Sequence, residues 1–368
     1  MTGILGRRSP DPILGQEDVE EVLQAALSSG RLAHAYLFAG PRGTGRFSTA
    51  LVLAASFMCR RSRTGWCGEC GDCRRIMKLQ HPDVRMTFPV LGSTKPEEIA
   101  DLISRRSGDG TTRLEVPGNS AIVIDAVREI QARMALKPYE GKGRVEILLD
   151  VDRMRQEASN ALLKTLEEPP PETLLVLTAE RASGVIPTVR SRAHLVRFGR
   201  VPARTVAGIL EARAGISPAE AARAAAMADG SVGGALSLAK EGPVLPDVIR
   251  RGLDLLSLEE PSGIIPAARV MAKALGVPGS TGLCSGMSAI LHDLRRLAVG
   301  SPAVFSTPED LPGGRGWSAD SLGMAVEAFQ LCESRIRANV NPAAALIAAF
   351  TGAWHVLSSG DAKRGGVH

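Results

Sequence analysis

Aromatic residues are scarce in this chain of 368 residues, at 4% of the composition. This scarcity argues against a protein that binds nucleic acid through many stacked rings. No stretch reaches the roughly 18 consecutive apolar residues of a membrane-spanning helix, and the first eight residues lack the apolar core of a signal peptide. A low-complexity tail is also missing. We therefore expect a soluble, intracellular, globular protein with no membrane partner.

Cysteine is too infrequent for a disulfide framework, with six residues in a chain of this length. Four of them lie close together, at Cys59, Cys67, Cys70 and Cys73. Four thiolates with two C-x-x-C steps suit one tetrahedral Zn²⁺, and four protein ligands leave no position for substrate. The spacing predicts a structural zinc site. Free buried thiols or a redox pair are the alternatives, although the residues between the cysteines favour turns.

The charge balance is mildly basic. The formal net charge is +5, and it falls to about +3 if four thiolates hold one Zn²⁺. This bias is compatible with nucleic acid nearby but does not require contact with it. The hydrophobic fraction of 44% and the charged fraction of 23% are those of an ordinary globular protein. The length predicts two or three domains.

The pattern of strands and helices changes along the chain. Apolar runs at residues 35–38, 145–149 and 174–178 are separated by amphipathic segments, which predicts an α/β domain with a parallel sheet covered on both faces. Beyond Pro202 the apolar spacing is helical. We expect three domains: residues 1–200 with a zinc module at 59–73 and a surface insertion at about 91–120, a small helical domain at 201–242, and an all-helical domain at 243–368. Residues 276–282 and 301–316, rich in Gly and Pro, are expected to be loops.

A glycine-rich loop follows the first apolar run, with Gly40, Gly43 and Gly45 placed as in a phosphate-binding loop. In a working G-x-x-x-x-G-K-[ST] loop the lysine reaches the phosphates and the hydroxyl holds Mg²⁺. Arg46 and Phe47 occupy these two positions. Phenylalanine has no metal ligand, and a planar guanidinium is a poor substitute for a compact ammonium. We expect ATP or ADP binding to be weak or absent. A glycine-rich turn unrelated to nucleotides is the alternative.

Several segments together resemble bacterial DNA polymerase III clamp-loader subunits, the γ/τ/δ′ group of AAA+ proteins. They are Gly15-Gln16, residues 34–43, the four-cysteine segment, residues 125–130, residues 160–170 (NALLKTLEEPP) and residues 188–192 (TVRSR). The match runs in order over about residues 12–240. The resemblance implies an AAA+ domain with an inserted zinc module, a helical lid domain and a helical collar through which five subunits assemble.

Within this family, the chain looks like the non-hydrolysing δ′ subunit. Arg46 and Phe47 replace the catalytic pair of the loop, and Leu149 stands where the family has its Mg²⁺-organising aspartate. Asp150 occupies the place of the base-like glutamate, and Gly233 that of a phosphate-sensing arginine. The resemblance implies δ and γ/τ subunits as partners, with the sliding clamp and primed DNA reached through the complex. It also implies a place in the replisome of the bacterial cytoplasm.

One catalytic feature of the family is retained. Ser191-Arg192-Ala193 resembles the Ser-Arg-Cys motif, whose arginine projects to ATP bound by a neighbouring subunit. A fixed positive charge there stabilises the phosphoryl-transfer transition state. The resemblance therefore implies that Arg192 is an arginine finger acting in trans. The alternative is that Arg192 only anchors the end of a helix or strand.

Two other functions stay open from the sequence. The first is an ATP-hydrolysing subunit of the γ/τ type with an unusual loop, which ATPase activity of the pure chain would reveal. The second is a zinc-containing nucleic-acid-binding module with no role in clamp loading, which recovery of the other subunits in a pull-down would exclude.

Overall fold

The computed structural model describes residues 15–62, 64–109, 114, 119–140, 142–241, 246–303, 316–337 and 340–361. The chain forms two compact units. Met1–Ala214 and Gly230–Gly234 make up the first, and Gly215–Asp229 and Ala235–His368 the second. The sheet lies entirely in the first unit.

Five parallel strands form one sheet in the order β2-β3-β4-β1-β5. Their bounds are β1 Ala35–Ala39, β2 Val84–Thr87, β3 Arg144–Leu148, β4 Thr173–Ala179 and β5 His194–Arg197. In the register, Leu37 of β1 lies opposite Leu177 on one side and Leu195 on the other. The predicted parallel sheet is therefore confirmed. The sequence pattern identified the long apolar strands, but not β2 and β5, which are four residues long and carry polar side chains.

Helices cover both faces of this sheet. Those before the last strand are α1 Glu17–Ser28, α2 Arg46–Met58, α3 Gly71–Met77, α4 Pro96–Asp109, α5 Ile124–Met134, α6 Gln156–Glu167 and α7 Pro187–Arg190. Tyr36 and Phe38 belong to the core cluster on the face that packs against α2, and Leu37 belongs to the cluster on the opposite face. This alternation follows from the two-residue period of a strand. Both faces are apolar, so the central strands read as continuous hydrophobic runs.

Residues 91–120, expected to be an insertion, include the helix α4. An antiparallel bridge between Val90 and Ala121 joins the two ends of this segment. Ile99, Leu102 and Ile103 are partly buried against the first core cluster. The described part of the segment therefore packs against the domain, whereas residues 110–113 and 115–118 lie outside the described residues.

The C-terminal part of the chain is helical, as the spacing of its apolar residues predicted. Its helices are α8 Ala203–Ala214, α9 Pro218–Met227, α10 Val232–Glu241, α11 Pro246–Leu256, α12 Ile264–Ala298, α13 Ala319–Arg337 and α14 Pro342–Asp361. Phe329 of α13 and Phe350 of α14 meet edge to face with ring centroids 5.0 Å apart. Both rings are fully buried in the core of the second unit. The boundaries expected at residues 201–242 and 243–368 stay predictions.

The expected loop at residues 276–282 is wrong. The chain is helical on both sides of Gly276, whose φ of 62° and ψ of −168° interrupt the helix. Glycine adopts this backbone conformation without the steric cost that a Cβ would add. The two helical pieces, Pro261–Val277 and Gly279–Ala298, are bent by 114°. Of the second expected loop, residues 304–315 lie outside the described residues.

Among the described residues, no single helix is long and apolar enough to cross a membrane. The bent pair Pro261–Val277 and Gly279–Ala298 meets the length and composition criteria only when both pieces are taken together.

The first prediction concerns the centre of the sheet. Leu177 is fully buried in β4, so Leu177→Ala removes apolar contacts and leaves a cavity, at a cost of about 2–5 kcal/mol. Urea unfolding followed by circular dichroism measures the loss in the transition that unfolds the sheet. Val22→Ala is the control, because Val22 is 43% exposed, and we expect it to change stability by less than about 0.5 kcal/mol. Equal losses for both variants would contradict the close packing around Leu177.

Candidate functional site

The glycine-rich loop connects β1 to α2, and two of its glycines have positive φ values. Gly43 and Gly45 have φ values of 75° and 100°. A Cβ on Gly40 would lie 2.3 Å from the carbonyl oxygen of Phe198, and one on Gly43 would lie 1.9 Å from Oγ of Ser231. Side chains are therefore excluded at both positions. The amide of Gly233 also donates to the carbonyl of Gly43 at 3.1 Å, so residues 231–233 contact the loop directly.

A buried glutamine fixes this loop to the end of the sheet. The Nε2 of Gln16 donates to the carbonyl oxygens of Thr44 at 3.3 Å and Gly199 at 2.7 Å. Its Oε1 accepts from the amide of Gly199 at 3.1 Å. The sequence showed Gln16 only as part of a family resemblance. Its structural role depends on Gly199, which is 183 residues away.

Arg46, in the lysine position of the loop, is turned into the protein. Its side chain is 8% exposed, and its Nη1 lies 3.7 Å from Oδ1 of Asp150. Burial lowers the pKa of Arg46, and the attraction of Asp150 opposes this effect. Asp150 is held in a left-handed conformation with φ of 50°, and its amide donates to Oγ1 of Thr178 at 3.0 Å. The guanidinium therefore faces a carboxylate of its own chain.

The Mg²⁺-binding positions offer no oxygen. Phe47 is partly buried, and the guanidinium carbon of Arg106 lies 4.9 Å from the centre of its ring, a cation–π distance. Leu149 is buried in the core cluster, and its amide donates to the carbonyl of Thr87 at 2.8 Å. Mg²⁺ requires hard oxygen ligands, and neither of these side chains supplies one.

The four clustered cysteines converge on one point. Their Sγ atoms all lie within 4.8 Å of one another, and those of Cys67 and Cys73 are 4.0 Å apart. Tetrahedral Zn²⁺ with bonds of about 2.3 Å places its sulfur ligands about 3.8 Å apart. The arrangement therefore fits one tetrahedral metal ion. The sequence spacing alone selected these four residues, and the structure brings them together.

Local hydrogen bonds shape this cysteine cluster. Cys70 caps the N-terminus of α3, with its Sγ accepting from the amide of Cys73 at 3.4 Å. The amide of Cys70 donates to Sγ of Cys67 at 3.3 Å. Burial raises the pKa of Cys67, but hydrogen bonds from the amides of Glu69 and Cys70 and with the thiols of Cys59 and Cys70 together lower that pKa to about 7. Thiolate is the metal-binding form, so these amides favour ligation.

A second group, Asp72, His81 and Glu140, is close enough to hold a metal, but its hydrogen bonds oppose that role. Nδ1 of His81 accepts from the amide of Asp83 at 3.1 Å, which leaves the proton of the neutral ring on Nε2. This Nε2 lies 3.5 Å from Oδ1 of Asp72. A metal on Nε2 would require the proton on Nδ1, facing another N–H. Arg75 also pairs with both carboxylates. The group is a charge network that ties α3 to residues 139–140.

Arg192 lies just beyond α7, with its side chain 36% exposed. Its Nη2 forms an ion pair with Oε1 of Glu167 at 2.6 Å, and its Nη1 donates to the carbonyl of Thr188 at 3.0 Å. Glu167 is the last residue of α6. The two sequence segments at 160–170 and 188–192 therefore meet in space. Arg192 is accessible, and within its own chain it is held by a carboxylate.

Comparison with known proteins agrees with this architecture. A family model described as "DNA polymerase III, delta subunit" matches residues 15–202, which is more than half of the 368 residues. The chain belongs to the DNA polymerase III clamp-loader family. The matched region contains the glycine-rich loop, the cysteine cluster and Arg192.

Relatives in this family carry two subunit names. A DNA polymerase III gamma/tau subunit of Mycobacterium tuberculosis is 32% identical over 198 residues, 54% of this chain and 30% of that protein. A delta′ subunit of Bacillus subtilis is 31% identical over 183 residues, 50% of this chain and 47% of that protein. A delta′ subunit of Pseudomonas aeruginosa is 34% identical over 161 residues, 44% of this chain and 41% of that protein. The matches span less than half the length of each of these relatives.

Among solved structures, a gamma-subunit-related protein of DNA polymerase III from Thermotoga maritima aligns with 91% of this chain and 98% of its own, with a TM-score of 0.45 and 16% identity.

The second prediction concerns metal content. We expect the clamp-loader chain, purified without chelators, to contain about one equivalent of zinc, because the four sulfurs suit a tetrahedral thiolate site. Cys70→Ser removes one thiolate ligand, while the serine hydroxyl can still cap α3, so the variant should lose metal and destabilise the module through ligand loss. Elemental analysis and thermal unfolding measure the two effects. Cys284→Ser is the matched control, since Cys284 is buried in the second unit, and it should keep the metal. A wild-type chain without metal would contradict this prediction.

Proposed function

We propose that this protein is a non-hydrolysing δ′-type subunit of the DNA polymerase III clamp loader, which helps to load the sliding clamp onto primed DNA. Family membership supports a role in the clamp loader. The δ′ assignment depends on one observation, the inward ion pair between Arg46 and Asp150 at 3.7 Å. In this arrangement Arg46, in the lysine position, already has an anionic partner. Asp150, in the position of the catalytic carboxylate, is paired with Arg46.

The loss of Mg²⁺ ligands supports the same assignment. In P-loop NTPases a Ser or Thr of the loop and a Walker B aspartate hold the ion that bridges the β- and γ-phosphates. Phe47 and Leu149 replace these residues, and both are packed against apolar neighbours. A bound nucleotide would have to displace the Arg46 ion pair and would gain no metal contact from these positions. Nucleotide binding is therefore weak or absent in this proposal.

The proposed metal is structural zinc at Cys59, Cys67, Cys70 and Cys73. Four protein ligands close the coordination sphere, so the ion would hold the chain rather than act on a substrate. The site would fix the C-terminal end of α2 to the N-terminal end of α3, because Cys59 follows α2 and Cys70 caps α3.

Arg192 is proposed to act in trans as an arginine finger on ATP bound by a neighbouring γ/τ subunit. Its exposure, 36% of the side chain, would allow contact with a neighbour. Glu167 would orient the guanidinium in the free chain and would compete with phosphate for it. The proposed partners are the δ and γ/τ subunits, with the clamp and primed DNA reached through the complex in the bacterial cytoplasm.

The rival function is an ATP-hydrolysing subunit of the γ/τ type, since a relative of that name matches over 198 residues and a delta′ relative over 183. The third prediction separates the two. We expect negligible ATP turnover by the pure chain, and also by the double variant Arg46→Lys, Phe47→Thr, because Leu149 and Gly233 remain. A phosphate-release assay measures turnover, with a γ/τ subunit assayed in parallel as the positive control. Wild-type turnover of about 1 per second or faster would establish the rival.

The fourth prediction tests Arg192 in the reconstituted loader. Loss of an arginine finger commonly slows its own site by about 10³-fold or more, and the whole complex slows less because other sites keep their own arginines. We therefore expect Arg192→Ala to assemble normally but to load clamps more slowly, as followed by clamp loading on primed DNA. Arg192→Lys should recover only part of the loss, because a point charge replaces a planar fork.

Arg190→Ala is the matched control for this experiment. Arg190 is the last residue of α7, two positions before Arg192, and donates to the carbonyl of Ala182, so its loss should leave loading unchanged. Unchanged loading and ATP turnover in Arg192→Ala would mean that Arg192 only anchors the end of α7. Failure of the wild-type chain to recover any loader subunit in a pull-down would instead favour a zinc-containing module with no role in loading.

A further inference from the structure

Tyr139 is unusually exposed for an aromatic residue. The chain has two tyrosines. Tyr36 is buried in the sheet with 2% exposure, whereas Tyr139 is 85% exposed, and Leu136, three residues before it, is 67% exposed. Aromatic side chains normally contribute large apolar areas to cores or interfaces. The roles given to the glycine-rich loop, the cysteine cluster and Arg192 do not explain why this ring is exposed.

The backbone beneath Tyr139 is held rigidly. The amides of Tyr139 and Glu140 donate to the two carboxylate oxygens of Asp83, at 2.6 and 2.8 Å. Asp83 is 1% exposed and lies 3.7 Å from Nη2 of Arg144. The preceding residue, Pro138, has a restricted φ. A ring that is exposed on a fixed backbone loses less conformational entropy on binding than one on a flexible loop.

Cations lie close to the backbone that carries this ring. Arg60, with a side chain 56% exposed, donates to the carbonyl of Glu140 at 3.0 Å. Arg75 donates two hydrogen bonds to the carboxylate of Glu140, at 2.5 and 2.7 Å. Lys137, two residues before the ring, is exposed.

The neighbouring acids are already neutralised. Arg75 pairs with Glu140 and Arg144 with Asp83, and Arg75 holds the pKa of Glu140 below its ordinary value. Arg60 also lies 3.3 Å from Oδ2 of Asp72, so the positive charge beside the ring comes mainly from Lys137.

We propose that Leu136, Lys137, Tyr139 and Arg60 form a binding surface for single-stranded nucleic acid, with the tyrosine ring stacking on a base and the cations contacting phosphates. An aromatic ring flanked by cations is the usual combination at such sites, and stacking accepts any base. Protein interfaces also favour Tyr and Arg, but their cores are depleted of Lys, and Leu136 is the one aliphatic side chain in this set. With a single ring, the affinity is modest and falls with salt.

Fluorescence anisotropy with the full-length, metal-loaded chain tests this surface. The probe is a labelled oligothymidylate of about 12 nucleotides, which is within the range of small single-strand sites. Tyr139→Ala should weaken binding about tenfold, whereas Tyr139→Phe, which keeps a stacking ring, should stay within about twofold of wild type. Lys137→Gln should weaken binding and reduce the slope of log K against log salt by about one if it contacts a phosphate.

Val22→Ala is the control, because it alters an exposed apolar residue on α1 and should not change binding. Circular dichroism and metal content should be unchanged in Tyr139→Ala, since an exposed side chain contributes little to folding. No measurable binding by the wild type at low salt, or equal binding by Tyr139→Ala, would overturn the proposal. So would a Tyr139→Ala variant that binds the oligonucleotide normally but fails to assemble with loader subunits, because the surface would then contact protein. The experiment uses no ATP, so its result is independent of the δ′ assignment.

Discussion

Parallel pairing of the five strands is the constraint on which the site formed by the glycine-rich loop, Arg46 and Asp150 depends. Strands that run in one direction end at the same edge of the sheet, so the loops that follow them must meet there. Arg46 follows the loop after β1 as the first residue of α2. Asp150 lies two residues after β3, and Thr178 lies near the end of β4. In an ATPase this edge gathers phosphate and metal ligands. Here the same geometry places a guanidinium 3.7 Å from a carboxylate of the same chain.

The Arg46–Asp150 pair is largely buried, with side chains 8% and 23% exposed, and such a pair contributes little net stability. Removing two charges from water costs several kcal/mol for each ion, and attraction between them offsets this only when the geometry is good. Loss of either partner would leave an uncompensated charge at the edge of the sheet. Close to this pair, the amide of Gly233 donates to the carbonyl of Gly43 in the glycine-rich loop.

The cysteine cluster and the Tyr139 surface are parts of one connected region. Cys70 caps α3, and Arg75 on the same helix bonds to Glu140, the residue next to Tyr139. Asp83, the residue just before β2, then accepts hydrogen bonds from the backbone amides of residues 139 and 140. A metal that holds α3 would therefore also help to hold the exposed ring.

The amino-acid sequence by itself determined the features that depend on local patterns. Continuous apolar runs predicted β1, β3 and β4, the C-x-x-C steps predicted a four-sulfur site, and Arg46 and Phe47 showed the loss of lysine and hydroxyl. It did not reveal β2 and β5, because strands of four residues with polar side chains carry no clear hydrophobic period. A glycine- and proline-rich stretch was also misread as a loop, since one glycine with positive φ is enough to bend a helix at Gly276.

Only the tertiary structure decided which distant residues meet. The pairing of Arg46 with Asp150, of Arg192 with Glu167 and of Asp83 with the Tyr139 backbone joins residues 25 to 104 positions apart in sequence. No local periodicity records such contacts, because they depend on strand order and on how helices pack against the sheet. The exposure of Tyr139 was equally invisible, since a tyrosine in a turn has the same local pattern whether a neighbouring element covers it or not. Burial is a property of the assembled fold, whereas residue spacing belongs to the chain.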